Sequence, residues 1–144
     1  MNDLPNIAVA SILIHDDLCL FLKRNNPPLN WAPPAGKLQE NETPLEGAIR
    51  EIKEETGLDA TVLMCVETWV GKPVDKYIVS STYVCQADSK QVFLSKEHSD
   101  YRWVRIDKLL TSDIETDFNI KNWPAFIAAA KTYFSFKSKQ SNLH

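Results

Sequence analysis

Cysteine is scarce in this chain and poorly placed for pairing. Cys19, Cys65 and Cys85 are three in number, far apart, and form no C-x-x-C pair. An odd, scattered set argues against a disulfide framework or a zinc ribbon and for reduced core thiols in a cytosolic protein. No run of about 18 apolar residues occurs, so no membrane-spanning helix is expected. The first residues lack a basic stretch followed by an apolar one. No signal peptide is therefore expected, and the expected location is the cytoplasm. Positive charge is not in excess either: 16 Lys and Arg against 19 Asp and Glu give a net charge of −3. A large basic surface, and with it stable nucleic-acid binding, is not expected. An acidic protein can still take an anionic substrate if it carries a bound cation, so the charge constrains mechanism more than substrate. Internal repeats, linkers and low-complexity segments are also missing. The expectation is one domain over residues 1–144, long enough to bury roughly 70% of the surface its unfolded chain exposes.

What is present reads as strands, a helix, more strands and a last helix. Ile7 to Ile14 and Leu18 to Leu22 are apolar, β-branched stretches either side of Asp16 and Asp17, which predicts a hairpin. Residues 25 to 35 carry prolines at 27, 28, 33 and 34 and read as a loop. Thr43, Pro44 and Glu46 form a capping box with proline at the first helical position, and Gly57 is placed to end that helix in a left-handed conformation. Between them Leu45, Ala48, Ile49 and Ile52 make an apolar stripe at helical spacing. Ala60 to Val70 and Tyr77 to Cys85 predict a second hairpin around a turn at Gly71 to Asp75, and Tyr101 to Ile106 a further short strand. Asn122 reads as the cap of a helix over roughly Trp123 to Phe136. Its Phe126, Ile127, Ala130 and Phe134 are expected in the core, with 137–144 a frayed tail. This order predicts a mixed α/β layered domain.

The first helix also carries the chemistry. Glu51, Glu54 and Glu55 lie at i, i+3 and i+4, within an arc of about 100° beside the apolar stripe. Three carboxylates that close repel one another, a cost that a cation offsets. Clustered hard oxygen donors suit magnesium or manganese rather than zinc. Arg50, four residues before Glu54, is placed to pair with a carboxylate and orient it. A Glu-rich helix alone would be read as a solvated surface. The spacing around it argues otherwise: Gly36 to Leu58 fits G-x5-E-x7-R-E-U-x-E-E-x-G-U, where U is a bulky aliphatic residue. Gly36, Glu42, Arg50, Glu51, Glu54, Glu55 and Gly57 fill the fixed positions, and Ile52 and Leu58 the aliphatic ones. With each fixed type at roughly 6% usage, a chance match is on the order of 10⁻⁹ per starting position.

This pattern is the Nudix box, and the chain resembles the Nudix hydrolase family. The stretch Trp31 to Gly36, W-A-P-P-A-G, is similar to a W-x-x-P-G-G entry common in that family, with Ala35 in place of a frequent glycine. The resemblance implies an α/β/α sandwich around a mixed β-sheet. It implies Mg2+, with Mn2+ as a substitute, bound by Glu51, Glu54, Glu55 and the main-chain carbonyl of Gly36. Arg50 would orient a box carboxylate, and Glu42 would support the loop and helix. Family members frequently add an acidic residue from a later loop, as ligand or general base, and Glu97 is the candidate here. The base is left open among Glu51, Glu55 and Glu97.

The implied activity is metal-dependent cleavage of a phosphoanhydride bond in a nucleoside diphosphate linked to another moiety. Nucleoside triphosphates, ADP-ribose and nucleotide sugars all fit that description. The alternative is a non-catalytic nucleotide sensor or partner-binding module of the same fold. Such modules usually lose box carboxylates, and all are present here. Lys23 and Arg24 stand near where family members bind substrate phosphate, and Trp31, Trp69, Tyr77 and Trp103 are candidates for stacking on a base. Pro73 lies fifteen residues past the box, a distance associated with ADP-ribose pyrophosphatases. His15, His98 and His144 are scattered and make no metal pattern, although His98 beside Glu97 is placed for the mouth of a site. Homodimerisation is compatible with the resemblance.

Overall fold

Asp16 and Asp17 both take positive φ, 48° and 64°, as the two-residue turn of a tight hairpin requires. They join β1 (Asn6–His15) to β2 (Leu18–Arg24). The computed structural model describes residues 6–27, 29–72, 75–110 and 123–141, with only the backbone at 109–110, 123–127 and 141. Pro73, Asn122 and His144 therefore lie outside the described residues, as do the side chains of Phe126 and Ile127.

The expected proline loop is partly ordered into the sheet. β3 (Trp31–Ala32) pairs with β2, and β4 (Ala35–Lys37) pairs with β1. Prolines 33 and 34 fall between these strands, where no ladder donor is needed. Helix α1 (Pro44–Thr56) follows with its ends as expected. The Thr43 hydroxyl accepts from the Glu46 N–H, the Glu46 carboxylate accepts from the Thr43 N–H, and Gly57 closes the helix at φ 74°. Then come β5 (Ala60–Gly71), β6 (Ile78–Ala87), β7 (His98–Arg105), a short 3-10 turn (Ile106–Leu110) and α2 (Trp123–Ser141).

The sheet runs β3-β2-β1-β6-β5, with β4 also on β1 and β7 on β2. β1 and β6 are parallel and the other pairs antiparallel, so the sheet is mixed. Alternation along the strands divides the core in two. Leu13 and Cys85 face α1 with Leu20, Leu22, Ala48 and Ile52. Their neighbours Ile12 and Val84 face α2 with Phe21, Ala129 and Ala130. The result is the expected α/β/α sandwich. Phe134 packs against the α2-side core as expected.

Three expectations need correction. The buried face of α1 is rotated from the predicted stripe: Leu45 and Ile49 are 50% and 44% exposed, while Ala48, Ile52, Glu55 and Thr56 are buried. The last helix does not fray at 137 but continues through Ser141. Lys137 and Tyr133 both donate to Asp17, at 2.8 and 2.6 Å, which fastens this end of α2 to the β1–β2 turn. The cysteines are all free, but only Cys19 and Cys85 are core thiols; Cys65 is exposed.

Candidate active site

The rotation of α1 decides what its carboxylates meet. Ala48 and Ile52 pack on the sheet, and Glu55, one turn on, enters the same buried arc at 3% exposure. Its Oε2 accepts from the Ala35 N–H at 3.2 Å. Burial first, then the neighbouring Glu51 and, less strongly, Glu97, push its carboxyl far above the usual carboxylate range.

Glu51 lies against β4. A Cβ built on Gly36 would sit 2.2 Å from Glu51 Oε1, so glycine is what lets the helix carboxylate reach the strand. The flank toward solvent is organised by Arg50. Its guanidinium donates to both oxygens of Glu42 (2.6 and 2.9 Å), to Glu51 Oε1 (2.9 Å), to Glu54 Oε2 (3.1 Å) and to the Lys37 carbonyl (3.1 Å). Arg50 and the Gln39 N–H together hold Glu42 down at about 2. The fork on Glu42 joins the loop to the helix.

Glu97 is positioned from the loop that leads into β7. Asn25, just past β2, donates its N–H to the Glu97 carbonyl and its side-chain amide to the Lys96 carbonyl, both at 2.9 Å. Nothing in the residue pattern marked Asn25 for this task. The two acidic elements meet in an open pocket of about 310 Å³ lined by Glu55, Glu97, Arg24 and His98, completed by Asn26, Ala32, Pro33 and Ala35. Burial, with Arg24 nearby, holds the His98 imidazole below its ordinary pKa despite Glu97.

The sequence-predicted residues are thus not all in one place. Gly36, Arg50, Glu51, Glu54 and Glu55 share one helix–strand junction, and Arg24 and Glu97 join Glu55 at the pocket. Lys23 alternates to the opposite sheet face, paired across the ladder with Trp31. Trp31 is 6% exposed in the α2-side core, with the Arg102 guanidinium 5.0 Å from its ring centre, which leaves little ring face open for a base. Trp69 and Tyr77 are exposed, while Trp103 is half-buried, its indole N–H donating to the Lys90 carbonyl.

An all-carboxylate donor set suits a hard divalent cation. Glu55 has, among the described residues, no cationic partner of the kind that Arg50 gives Glu51 and Glu54. Among the described residues no three His, Cys, Asp or Glu side chains close around one point, with Arg50 holding one oxygen each of Glu51 and Glu54.

Fold and site together define an α/β/α domain that presents helix carboxylates to a pocket beside a glycine strand. A family model described as the NUDIX domain matches residues 4–124, and the chain belongs to the Nudix hydrolase family. Among relatives, the bis(5'-nucleosyl)-tetraphosphatase (asymmetrical) of Rattus norvegicus is 30% identical over 95 residues, covering 62% of this chain and 65% of that one. The Caenorhabditis elegans protein of the same name is 31% identical over 138 residues, 85% of this chain and 97% of that one. The chain therefore spans just under two thirds of the mammalian relative and nearly all of the nematode one. A solved C. elegans Ap4A hydrolase binary complex superposes with a TM-score of 0.72 at 20% identity, covering 90% of this chain and 98% of that chain. At that identity the likeness concerns the fold. No helix among the described residues is long and apolar enough to cross a membrane.

Proposed function

We propose that this protein hydrolyses a phosphoanhydride bond in a small nucleotide, with a dinucleoside polyphosphate as the first candidate. Nucleoside triphosphates, ADP-ribose and nucleotide sugars follow as rivals. The observation that carries the reading is Glu55: a carboxylate 3% exposed, beside Glu51 and lining a pocket with Glu97, and paired with no cationic side chain among the described residues. A buried carboxylate with raised proton affinity in an open pocket is a functional group with a stated physical cause. The order of candidate substrates follows the activity for which the rat and nematode relatives are named.

Glu51, Glu54, Glu55, Glu97 and the Gly36 carbonyl would hold Mg2+ or Mn2+. When bound, such an ion would supply charge neutralisation at phosphate oxygens and a lowered pKa for water. The remaining tasks belong to the chain itself. Glu55 or Glu97 takes the proton of that water, since both line the pocket. Arg50 orients Glu51 and Glu54 and ties them to the Glu42 loop. Ala35 and Gly36 supply a backbone edge that a bulkier residue at 36 would push away from Glu51. Arg24 meets the negative substrate at the pocket wall. We place the protein in the cytoplasm on its three free thiols.

The test is a hydrolysis panel in magnesium, repeated in manganese, with products identified by mass. It spans dinucleoside polyphosphates, canonical and oxidised nucleoside triphosphates, ADP-ribose and nucleotide sugars. Metal-dependent turnover that Glu55→Gln abolishes supports the reading. Ligand-induced thermal stabilisation without turnover of any of them would replace it with a nucleotide sensor.

A further inference from the structure

Arg24 and His98 share the pocket with Glu55 and Glu97, and an irregularity in the sheet brings them together. Along β2 and β7, Lys23 pairs with Asp100, but Arg24 pairs with His98, so Ser99 is skipped. In a regular antiparallel ladder Arg24 would oppose Ser99, and His98 would point to the other face with Asp100. The bulge turns His98 onto the Arg24 face, the re-aiming that bulges beside active sites perform.

What His98 presents there follows from its ring nitrogens. Nδ1 is buried and has no hydrogen-bond partner. A buried N–H without an acceptor is costlier and rarer than a bare lone pair. The proton of the neutral ring therefore sits on Nε2, the edge left to reach the pocket. Beside it, Arg24 spends its Nε on the Asn26 carbonyl at a long 3.4 Å. The pair offers N–H donors and one fixed positive charge in a pocket that otherwise carries carboxylates.

The geometry points to His98 as a substrate-binding residue: its Nε2–H, with the Arg24 guanidinium, holds a non-bridging phosphate oxygen, so that the phosphate chain crosses the pocket with the reacting phosphorus toward Glu55 and Glu97. This rests on reading the pocket as a phosphoanhydride site. Lys23, although next to Arg24 in the chain, has no part in it, because strand alternation sends it to the other face.

The experiment measures binding of imidodiphosphate with magnesium, a phosphate chain that does not turn over, by titration calorimetry. The variants are His98→Gln, His98→Asn and His98→Leu, each with its thermal melt. The Gln amide nitrogen falls near Nε2 of the native ring and the Asn one near Nδ1. His98→Gln should bind within a few-fold of the natural protein, and His98→Asn and His98→Leu at least about 10-fold more weakly. If His98→Leu does not fold, the Gln and Asn pair decides. Equal binding by all variants and the natural protein overturns the contact, and equal weakening of all three overturns the Nε2 donor. If the natural protein itself does not bind imidodiphosphate, the phosphoanhydride reading falls and the His98 assignment with it.

Discussion

Glu51 and Glu54 on the outer flank of α1 and Glu55 on its inner face carry the same functional group, but the protein treats them in opposite ways. The outer two, with Glu42, are gathered on one guanidinium, and Arg50 places four donors on three carboxylates. Glu55 is more deeply buried and receives one backbone N–H. Burying a carboxylate without a partner costs several kcal/mol or forces it to hold a proton. The outer group is therefore balanced in hydrogen bonds by Arg50, although one guanidinium leaves its three carboxylates net negative and still open to a divalent ion. Among the described residues no cationic side chain shifts the inner carboxylate toward its charged form, and the neighbouring Glu51 raises its proton affinity further. The contrast separates the carboxylates that Arg50 orients from the one that enters the buried arc of the helix.

The largest expected effect is on the unbalanced side. Glu55→Gln keeps the shape and removes the charge, so activity should fall roughly 10²- to 10⁴-fold, measured as initial rate on whichever substrate the panel selects. The metal-free fold should move the other way. Because the folded-state pKa of Glu55 is raised, its contribution to stability is intact below the ordinary carboxylate pKa and erodes as pH rises above it. Chelator-treated Glu55→Gln should therefore melt higher than the natural protein at neutral pH and converge with it near pH 4. A lower melt at neutral pH would mean that Glu55 is already compensated, and the contrast would be lost.

Removing Arg50 attacks the balanced side. Arg50→Met leaves Glu42, Glu51 and Glu54 facing one another without their cation. The melting temperature should fall by roughly 5–10 °C, whereas Glu55→Gln should not lower it. An unchanged melt would show that the Arg50 network carries no structural load.

How much of this was readable in the residues depends on range. The capping box, the Gly57 stop and the carboxylate spacing are local, and each is legible in the residues from Gly36 to Leu58 alone. The buried face of α1 is not local. Leu45 and Ile49 fit the apolar period, but the sheet lies under Ala48, Ile52 and Glu55, because β4 approaches through Gly36. Strands β3 and β4 hide among prolines because two and three residues are too short for any periodic signal. The last turn of α2 looks like a polar tail until Asp17, 120 positions away, pairs with Lys137. The slip that skips Ser99 exists only in the pairing of two strands, so no reading of either strand alone reveals that His98 joins Arg24.

A smaller effect is expected where the two sides touch. Gly36→Ala drives a methyl into the Glu51 carboxylate, the far end of a flexible side chain. The backbone at 36 does not need a positive φ, so the fold has room to yield by moving Glu51 alone. Activity should drop about 10-fold or more, the scale of a misplaced group near the chemistry, while the melt changes little. A large loss of stability with it would show that Glu51 is locked in place as firmly as Arg50.

The smallest effect belongs to Glu42, and its pH dependence tests the balanced side from within. Arg50 first, and the Gln39 N–H second, depress its pKa from an ordinary carboxylate value to about 2. A depressed carboxyl contributes stability above its unfolded pKa and loses it as pH falls through the folded one. That contribution is therefore whole near pH 6 and drains between about 4.5 and 2. Glu42→Gln should melt slightly lower than the natural protein at pH 6, and the gap should close on acidification. The Glu42 side chain is 11% exposed, so salt should shrink the gap only in part. This behaviour is opposite in sign to that of Glu55→Gln, which gains stability where Glu42→Gln loses it. If both variants shift the melt in the same direction at neutral pH, the carboxylates of α1 and its loop form one electrostatic cluster rather than a balanced frame around an unbalanced centre.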